Sequence, residues 1–401
     1  MGGLDVAGNG YSEINLLVKE IITSKEYNRM KKLLIMVMVA VVVASCTATK
    51  QNTKTKTIAQ QLLERLDTLR SKGIMYGHQD DPMYGLTWEY EADSSDVKAV
   101  CGDYPAIMGF DLGGIEMGDA KNLDSVPFTR MTEEVIKHYN RGGIVTLSWH
   151  PRNPVTTIDG GGNAGQKFPE GTAWDVSDTL VVKKILPGGE FHDKFATWMQ
   201  RVSDFLATLK TEDGQPIPII FRPWHENSGS WFWWGEKLCT VEEYKALWNM
   251  LQDKLKADGY DNLVWSYSPG MQDSLTAERL LDRYPGDDRV DMIGLDGYQW
   301  QPEEKEQFIE RAKQNLTVLC QVAQEHGIIP ALTECGMKNM TEPTWWTSTL
   351  LPAVQEFPIS YLLTWRNYKE EWFGPSPVKP DAPYFKSFYE ASKTLFLNDI
   401  K

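Results

Sequence analysis

From Ile58 onward, short apolar runs alternate with longer stretches whose apolar residues recur at helical spacing. The runs Ile74–Gly77, Ala106–Phe110, Gly143–Leu147, Ile217–Phe221, Leu263–Tyr267, Val290–Leu295, Ile328–Leu332 and Ile359–Leu363 read as strands covered on both faces. Between them, Ile58–Lys72, Met131–Asn140, Glu190–Leu209, Val241–Lys256 and Glu303–His326 read as helices. Eight strands separated by helices predict a closed parallel (β/α)8 barrel, a TIM barrel, as a single domain over residues 58–401. An open doubly wound sheet would want a glycine-rich phosphate turn after its first strand, and Gly77-His78-Gln79-Asp80 stands there instead.

The polar residues fall in a pattern of their own. His78, Asp111, His150, His225, Glu226, Tyr298, Glu334 and Trp365 each follow the carboxyl end of an expected strand, and in such a barrel those ends converge on one face. The fourth strand carries the densest group: Arg222-Pro223-Trp224-His225-Glu226, then Asn227-Ser228-Gly229-Ser230, then Trp231-Phe232-Trp233-Trp234. Flat apolar rings beside hydrogen-bonding groups suit the two chemically different surfaces of a sugar ring. Glu226 and Glu334 follow strands four and seven, whose ends face each other across the barrel mouth. A pair of carboxyl groups about 5 to 5.5 Å apart can cleave a glycosidic bond with retention, one donating a proton and the other attacking the anomeric carbon. A wider pair would leave space for water and give inversion.

These residues resemble glycoside hydrolase family 26, whose typical members are β-mannanases on a (β/α)8 fold. The resemblance rests on Arg222-Pro223-Trp224-His225-Glu226 with Gly229-Ser230-Trp231-Phe232-Trp233-Trp234-Gly235. Gly77-His78-Gln79, Ser148-Trp149-His150, Gly297-Tyr298, Thr333-Glu334 and Thr364-Trp365-Arg366 extend it over about residues 58–395. It implies Glu226 as general acid and then base, and Glu334 as the nucleophile of a retaining double displacement on β-1,4-mannosidic bonds in mannan, glucomannan or galactomannan. It further implies sugar contacts from His150 and from His225, which could instead orient the nucleophile. Tyr298 would hydrogen-bond Glu334, Trp231, Trp365 and Trp233 would be platforms, and Arg366 would contact a neighbouring subsite. No cofactor or metal is implied. Some members act instead on mixed-linkage β-glucan or β-1,3-xylan, and a barrel that binds glycan without cleaving it is the reading from another class.

Other residues have plainer expectations. His78 divides between a turn residue and a substrate contact, and Asp111 reads as the cap of the Gly113-Gly114 turn, with a sugar hydroxyl at a distant subsite as the alternative. Asp296 either satisfies backbone amides or touches substrate, Thr333 and Tyr298 are candidate donors to Glu334, and Trp345-Trp346 read as core. His138 and His326 fall in helices and are expected on the surface. A metal site from His150, His225 and Glu226 has no HExxH-type spacing behind it. The insert from Arg152 to about Pro187, with Gly160-Gly161-Gly162, is long enough to be functional and could wall off one end of a cleft, favouring short products such as mannobiose.

Composition narrows the partners. The 401 residues carry a net charge of -14, which disfavours a phosphate backbone and suits an uncharged polymer. At the N-terminus, Met30-Lys31-Lys32, the apolar run Leu33–Ala44 and then Ser45-Cys46 read as a lipoprotein signal over residues 30–45, with Cys46 as the lipid-bearing residue. Residues 1–29 look like neither signal nor domain, so translation is expected to start at Met30. Residues 46–57 read as a polar tether, with no acidic cluster after Cys46, so a periplasm-facing, envelope-anchored monomer is expected. Cys101, Cys239, Cys320 and Cys335 match no disulfide framework or zinc motif.

Overall fold

A computed structural model of the chain describes residues 10–47, 56–157 and 171–401. The chain divides into two compact units, Met1–Lys56 and Thr57–Lys401. In the first, helix α1 (Gly10–Thr47) runs without a break through the expected start at Met30. Most of the expected tether, and the centre of the Arg152–Pro187 insert with its three glycines, lie outside the described residues. Among the described residues no helix is long and apolar enough to cross a membrane.

In the second unit, β1 (Ile74–Gln79), β2 (Ile107–Asp111), β3 (Ile144–Trp149), β4 (Ile219–Pro223), β5 (Leu263–Tyr267), β6 (Met292–Gln299), β7 (Ile329–Met337) and β8 (Tyr361–Thr364) pair in chain order, all parallel. β8 returns to β1 in the register Met75↔Tyr361 to His78↔Thr364, which closes the barrel. The expected (β/α)8 architecture is thus what the chain adopts.

The strands alternate between two cores, as the period of two along a strand requires. Met75, Ile107, Ile144, Ile220, Val264, Met292, Ala331 and Leu363 belong to one cluster, inside the barrel near its base. Their neighbours Tyr76, Met108, Val145, Phe221, Ile293, Leu332 and Leu362 belong to the other, against the surrounding helices. Helix α2 (Ile58–Arg70) adds Leu62, Leu66 and Leu69 to the inner cluster and touches β1, β5 and β7. It plugs the base, so the barrel opens only at the carboxyl ends of its strands. A capping box between Thr57 and Gln60 starts this helix where the apolar spacing begins.

His138 overturns one expectation. It is wholly buried in its helix, with Nε2 3.2 Å from the Ala106 carbonyl oxygen and its ring filling the space a Cβ at Gly143 would take. Helical position alone does not expose a residue, and this face packs on β2. Burial lowers its pKa from 6.5 to about 4. A depressed imidazole contributes stability that is complete above its unfolded value and is lost as pH falls toward the folded one. The melting temperature is therefore expected to fall between about pH 6.5 and 4, and less steeply for His138→Gln, which can still donate to Ala106. Thermal melts across that range compare the two slopes.

Candidate active site

Beyond the inner apolar layer the same strand faces turn polar. Arg222 lies two residues after Ile220 on β4, Asp111 and Ser148 occupy the register-matched positions on β2 and β3, and Asp296 lies four residues after Met292 on β6, all buried. A register shift between Leu295 and Asp296, opposite Leu332 and Glu334, leaves Thr333 as an extra residue on β7. Such a bulge bends the strand and re-aims the side chain that follows it, here Glu334. Thr333 itself bonds the Leu295 carbonyl oxygen and Asp296 Oδ1 at 2.7 Å, so it does not donate to Glu334 as expected.

After β4 the chain makes a tight excursion in which Trp224 (φ 54°) and Glu226 (φ 53°) both take left-handed backbone angles. Such angles cost on the order of 1–3 kcal/mol per non-glycine residue and persist only where the surroundings enforce them. Here Tyr244 Oη donates to the Trp224 carbonyl at 3.0 Å, Trp234 Nε1 to the His225 carbonyl at 2.8 Å, and the Glu226 amide to the Ser268 carbonyl at 2.7 Å. The buried rings of Trp224, Trp233 and Trp234 pack on one another and carry the turn. Trp233 is therefore core and not a platform: it is fully buried, with its indole N–H on the Pro151 carbonyl.

The two glutamates meet across the mouth. One carboxylate oxygen from each of Glu226, Asp296 and Glu334 lies within 4.8 Å of the others. Arg222 sits among them, bonded to Asp296 Oδ2 at 2.9 Å and to Glu334 Oε1. Tyr298 Oη donates to Glu334 Oε2 at 2.7 Å, as expected, and His225 Nε2 stands 3.9 Å from Glu334 Oε1. Glu334 thus has donors on both oxygens. Glu226 has one, Trp231 Nε1 on Oε2 at 2.6 Å. Burial first, and then the charge of Glu334, push Glu226 up to about 7. Glu334 is the better supplied with hydrogen-bond donors, and Glu226 holds its proton toward neutrality.

His150 and His225 join the pair from the side, Nε2 to Nε2 at 2.9 Å. His150 stacks on Trp174 (5.6 Å, 17°) and meets Phe232 and Trp365 at steeper angles. Trp231 is 47% exposed and Trp365 partly exposed, so both can present a ring face at the mouth. Trp300, also half exposed, lies against Tyr298 and Phe373. Arg366 is held by Asp124 at 2.7 Å. His78 is buried against Asp81 (2.9 Å) and beneath Gly374, apart from these contacts. The sequence placed Asp111 at the mouth without a part in the chemistry, and gave Arg222, Trp174 and Trp300 no role in the site. Arg222 had a readable signal, a charge on the inner face of a barrel strand.

The profile of glycosyl hydrolase family 26 matches residues 50–375. The chain belongs to this family. Among solved structures, a family 26 β-mannanase from Bacteroides ovatus superposes with a TM-score of 0.79 at 44% identity, over 85% of this chain and 95% of that one. A modular endo-β-1,4-mannanase from Cellulomonas fimi does so at 0.74 and 29%, over 86% and 78%. A mannan endo-1,4-β-mannosidase of Bifidobacterium adolescentis is 32% identical over 335 residues, 76% of this chain and 31% of that protein. The chain spans from about a third to just over half the length of the curated relatives it matches.

The Trp231 contact gives family chemistry a local test. Its N–H lowers the pKa of Glu226, so Trp231→Phe, which keeps a ring but loses the donor, is expected to raise it. With Glu226 in its expected role as general acid, the alkaline limb of kcat/KM should then move to higher pH, because its carboxyl stays protonated longer. A pH profile of the two enzymes measures the shift.

Proposed function

We propose that this chain is a retaining endo-β-1,4-mannanase that cleaves mannan, glucomannan or galactomannan by double displacement. The observation that carries the chemistry is the spacing of the two carboxyl groups, whose nearest oxygens lie within 4.8 Å, too close for a water to attack from between them. Glu226 protonates the leaving oxygen while Glu334, held by Arg222 and Tyr298, attacks the anomeric carbon and forms a glycosyl-enzyme. Glu226, now ionised, takes a proton from the incoming water, whose oxygen bonds the anomeric carbon as the bond to Glu334 breaks and frees its carboxylate. The protein's own groups suffice for each of these proton transfers. The relatives named above support mannan as the substrate.

Digestion of linear mannan, mixed-linkage glucan and β-1,3-xylan tests the substrate: mannan alone is expected to be cut, and cleavage of only another glycan would overturn that part. The ratio of early products reads whether attack is internal or from a chain end. Proton NMR of the nascent product is expected to show the β-anomer first, whereas the α-anomer first would mean inversion. Glu226→Gln should lower kcat by about 10²–10⁴-fold and Glu334→Gln should abolish turnover while leaving oligosaccharide binding intact. Binding by the wild type with no turnover on any of these glycans would favour the binding-protein reading. We further propose export with lipid attachment at Cys46, supported by the charged, apolar and small-residue succession around it. Labelled fatty acid incorporated by the wild type should be absent from Cys46→Ala.

A further inference from the structure

We propose that Asp111 is a positioning residue of this active site: through His150 it fixes which nitrogens of two imidazoles carry protons, and so seats His225 against Glu334. The inference rests on the catalytic reading of Glu226 and Glu334. Asp111 ends β2 and is wholly buried. Its cap role is real, since Oδ1 accepts from the Gly113 amide at 2.7 Å and the His150 amide at 3.2 Å. The other oxygen has a different job. Oδ2 accepts from Ser148 Oγ at 2.6 Å and lies 2.7 Å from His150 Nδ1. With four donors converging on it, the carboxylate is held ionised below its usual range despite burial, which alone would raise it. An anion at that distance requires a proton on His150 Nδ1.

The next link then has few solutions. His150 Nε2 and His225 Nε2 are 2.9 Å apart, so one of them carries a hydrogen and the other accepts it. His150 is faced by carboxylates from several elements: Asp111 at the end of β2, Asp124 in the following loop and Glu334 on β7. Together they raise its pKa against the effect of burial. His225 is faced by His150 and by Arg222, and burial with these charges holds it well below its ordinary value. The shared proton therefore belongs to His150. It leaves His225 neutral, accepting at Nε2 and carrying its own hydrogen on Nδ1, which has no partner among the described residues. The ring ends 3.9 Å from Glu334 Oε1. The chain Asp111, His150, His225 thus runs from the end of β2 to within 3.9 Å of Glu334 Oε1 on β7. A carboxylate that fixes the tautomer of a working histidine is a recurring device, and loss of such supporting partners typically costs 10–100-fold.

There is an electrostatic consequence that a packing role does not share. The His150 cation lowers the pKa of Glu226. Without the charge of Asp111, His150 gives up its proton at lower pH, and Glu226 rises.

The experiment uses the full chain. Imidazole nitrogen NMR of the substrate-free wild type at about pH 6 is expected to show His150 protonated on both nitrogens and His225 on Nδ1 only. Asp111→Asn keeps the shape and an acceptor but removes the charge. It is expected to lower kcat about 10–100-fold with KM little changed, and to move the alkaline limb to higher pH. A proton on His225 Nε2 with His150 Nε2 bare would overturn the proposal. So would Asp111→Asn with wild-type kcat and an unmoved limb, a result that leaves Asp111 only its cap. The nitrogen shifts are read without substrate and on the wild type, so they test the relay whichever glycan is cleaved and whether or not the variant folds.

Discussion

Two carboxyl groups whose oxygens lie within 4.8 Å at the barrel mouth repel each other when both are ionised. The rest of this molecule can be understood as settling which of them keeps its proton. Arg222 settles it by contact, reaching Glu334 and Asp296 and not Glu226. Tyr298 adds a second donor to Glu334, whereas Glu226 takes its hydrogen bond from Trp231 Nε1. The third carboxylate, Asp296, is not surplus. It shares the guanidinium and accepts from Thr333, which pins Arg222 at the height of the mouth where Glu334 emerges.

That arrangement is expensive to hold, and the fold offsets the cost locally. The left-handed angles of Trp224 and Glu226 flank His225, which stands 3.9 Å from Glu334 Oε1, and three packed indoles with hydrogen bonds from Tyr244 and Trp234 enforce them. On the facing side the bulge at Thr333 performs the equivalent re-aiming for Glu334. Both distortions sit at carboxyl ends of strands whose lower halves are plain apolar barrel, plugged by helix α2. Rigidity below and strain above are the division of labour expected of a (β/α)8 enzyme.

Much of this was legible in the chain. Eight apolar runs announced the barrel, and the two glutamates stood out because each followed one of them. What the runs hid was their own upper ends. Most expected strands stopped at the last apolar residue, whereas β2, β3 and β4 continue through Asp111, Trp149 and Pro223. At the mouth the inward position meets other polar groups instead of hydrocarbon, so the hydrophobic signal ends before the strand does. Arg222 and Asp111 fell into that gap. Trp233 failed for the opposite reason: neighbours in a run of aromatics point different ways after a turn, and only the packing tells platform from core. Thr333 was misread because a bulge is invisible to a period of two.

Glu226 keeps its proton to higher pH first because it is buried and then because the charge of Glu334 lies beside it. Titrating the Glu226 carboxyl by isotope-edited infrared spectroscopy, in the wild type and in Glu334→Gln, tests this most directly. In the wild type the group should titrate at about 7, and removal of the neighbouring charge should bring it clearly lower. A Glu226 that titrates near its ordinary 4.5, or one unmoved by the loss of Glu334, would contradict the account.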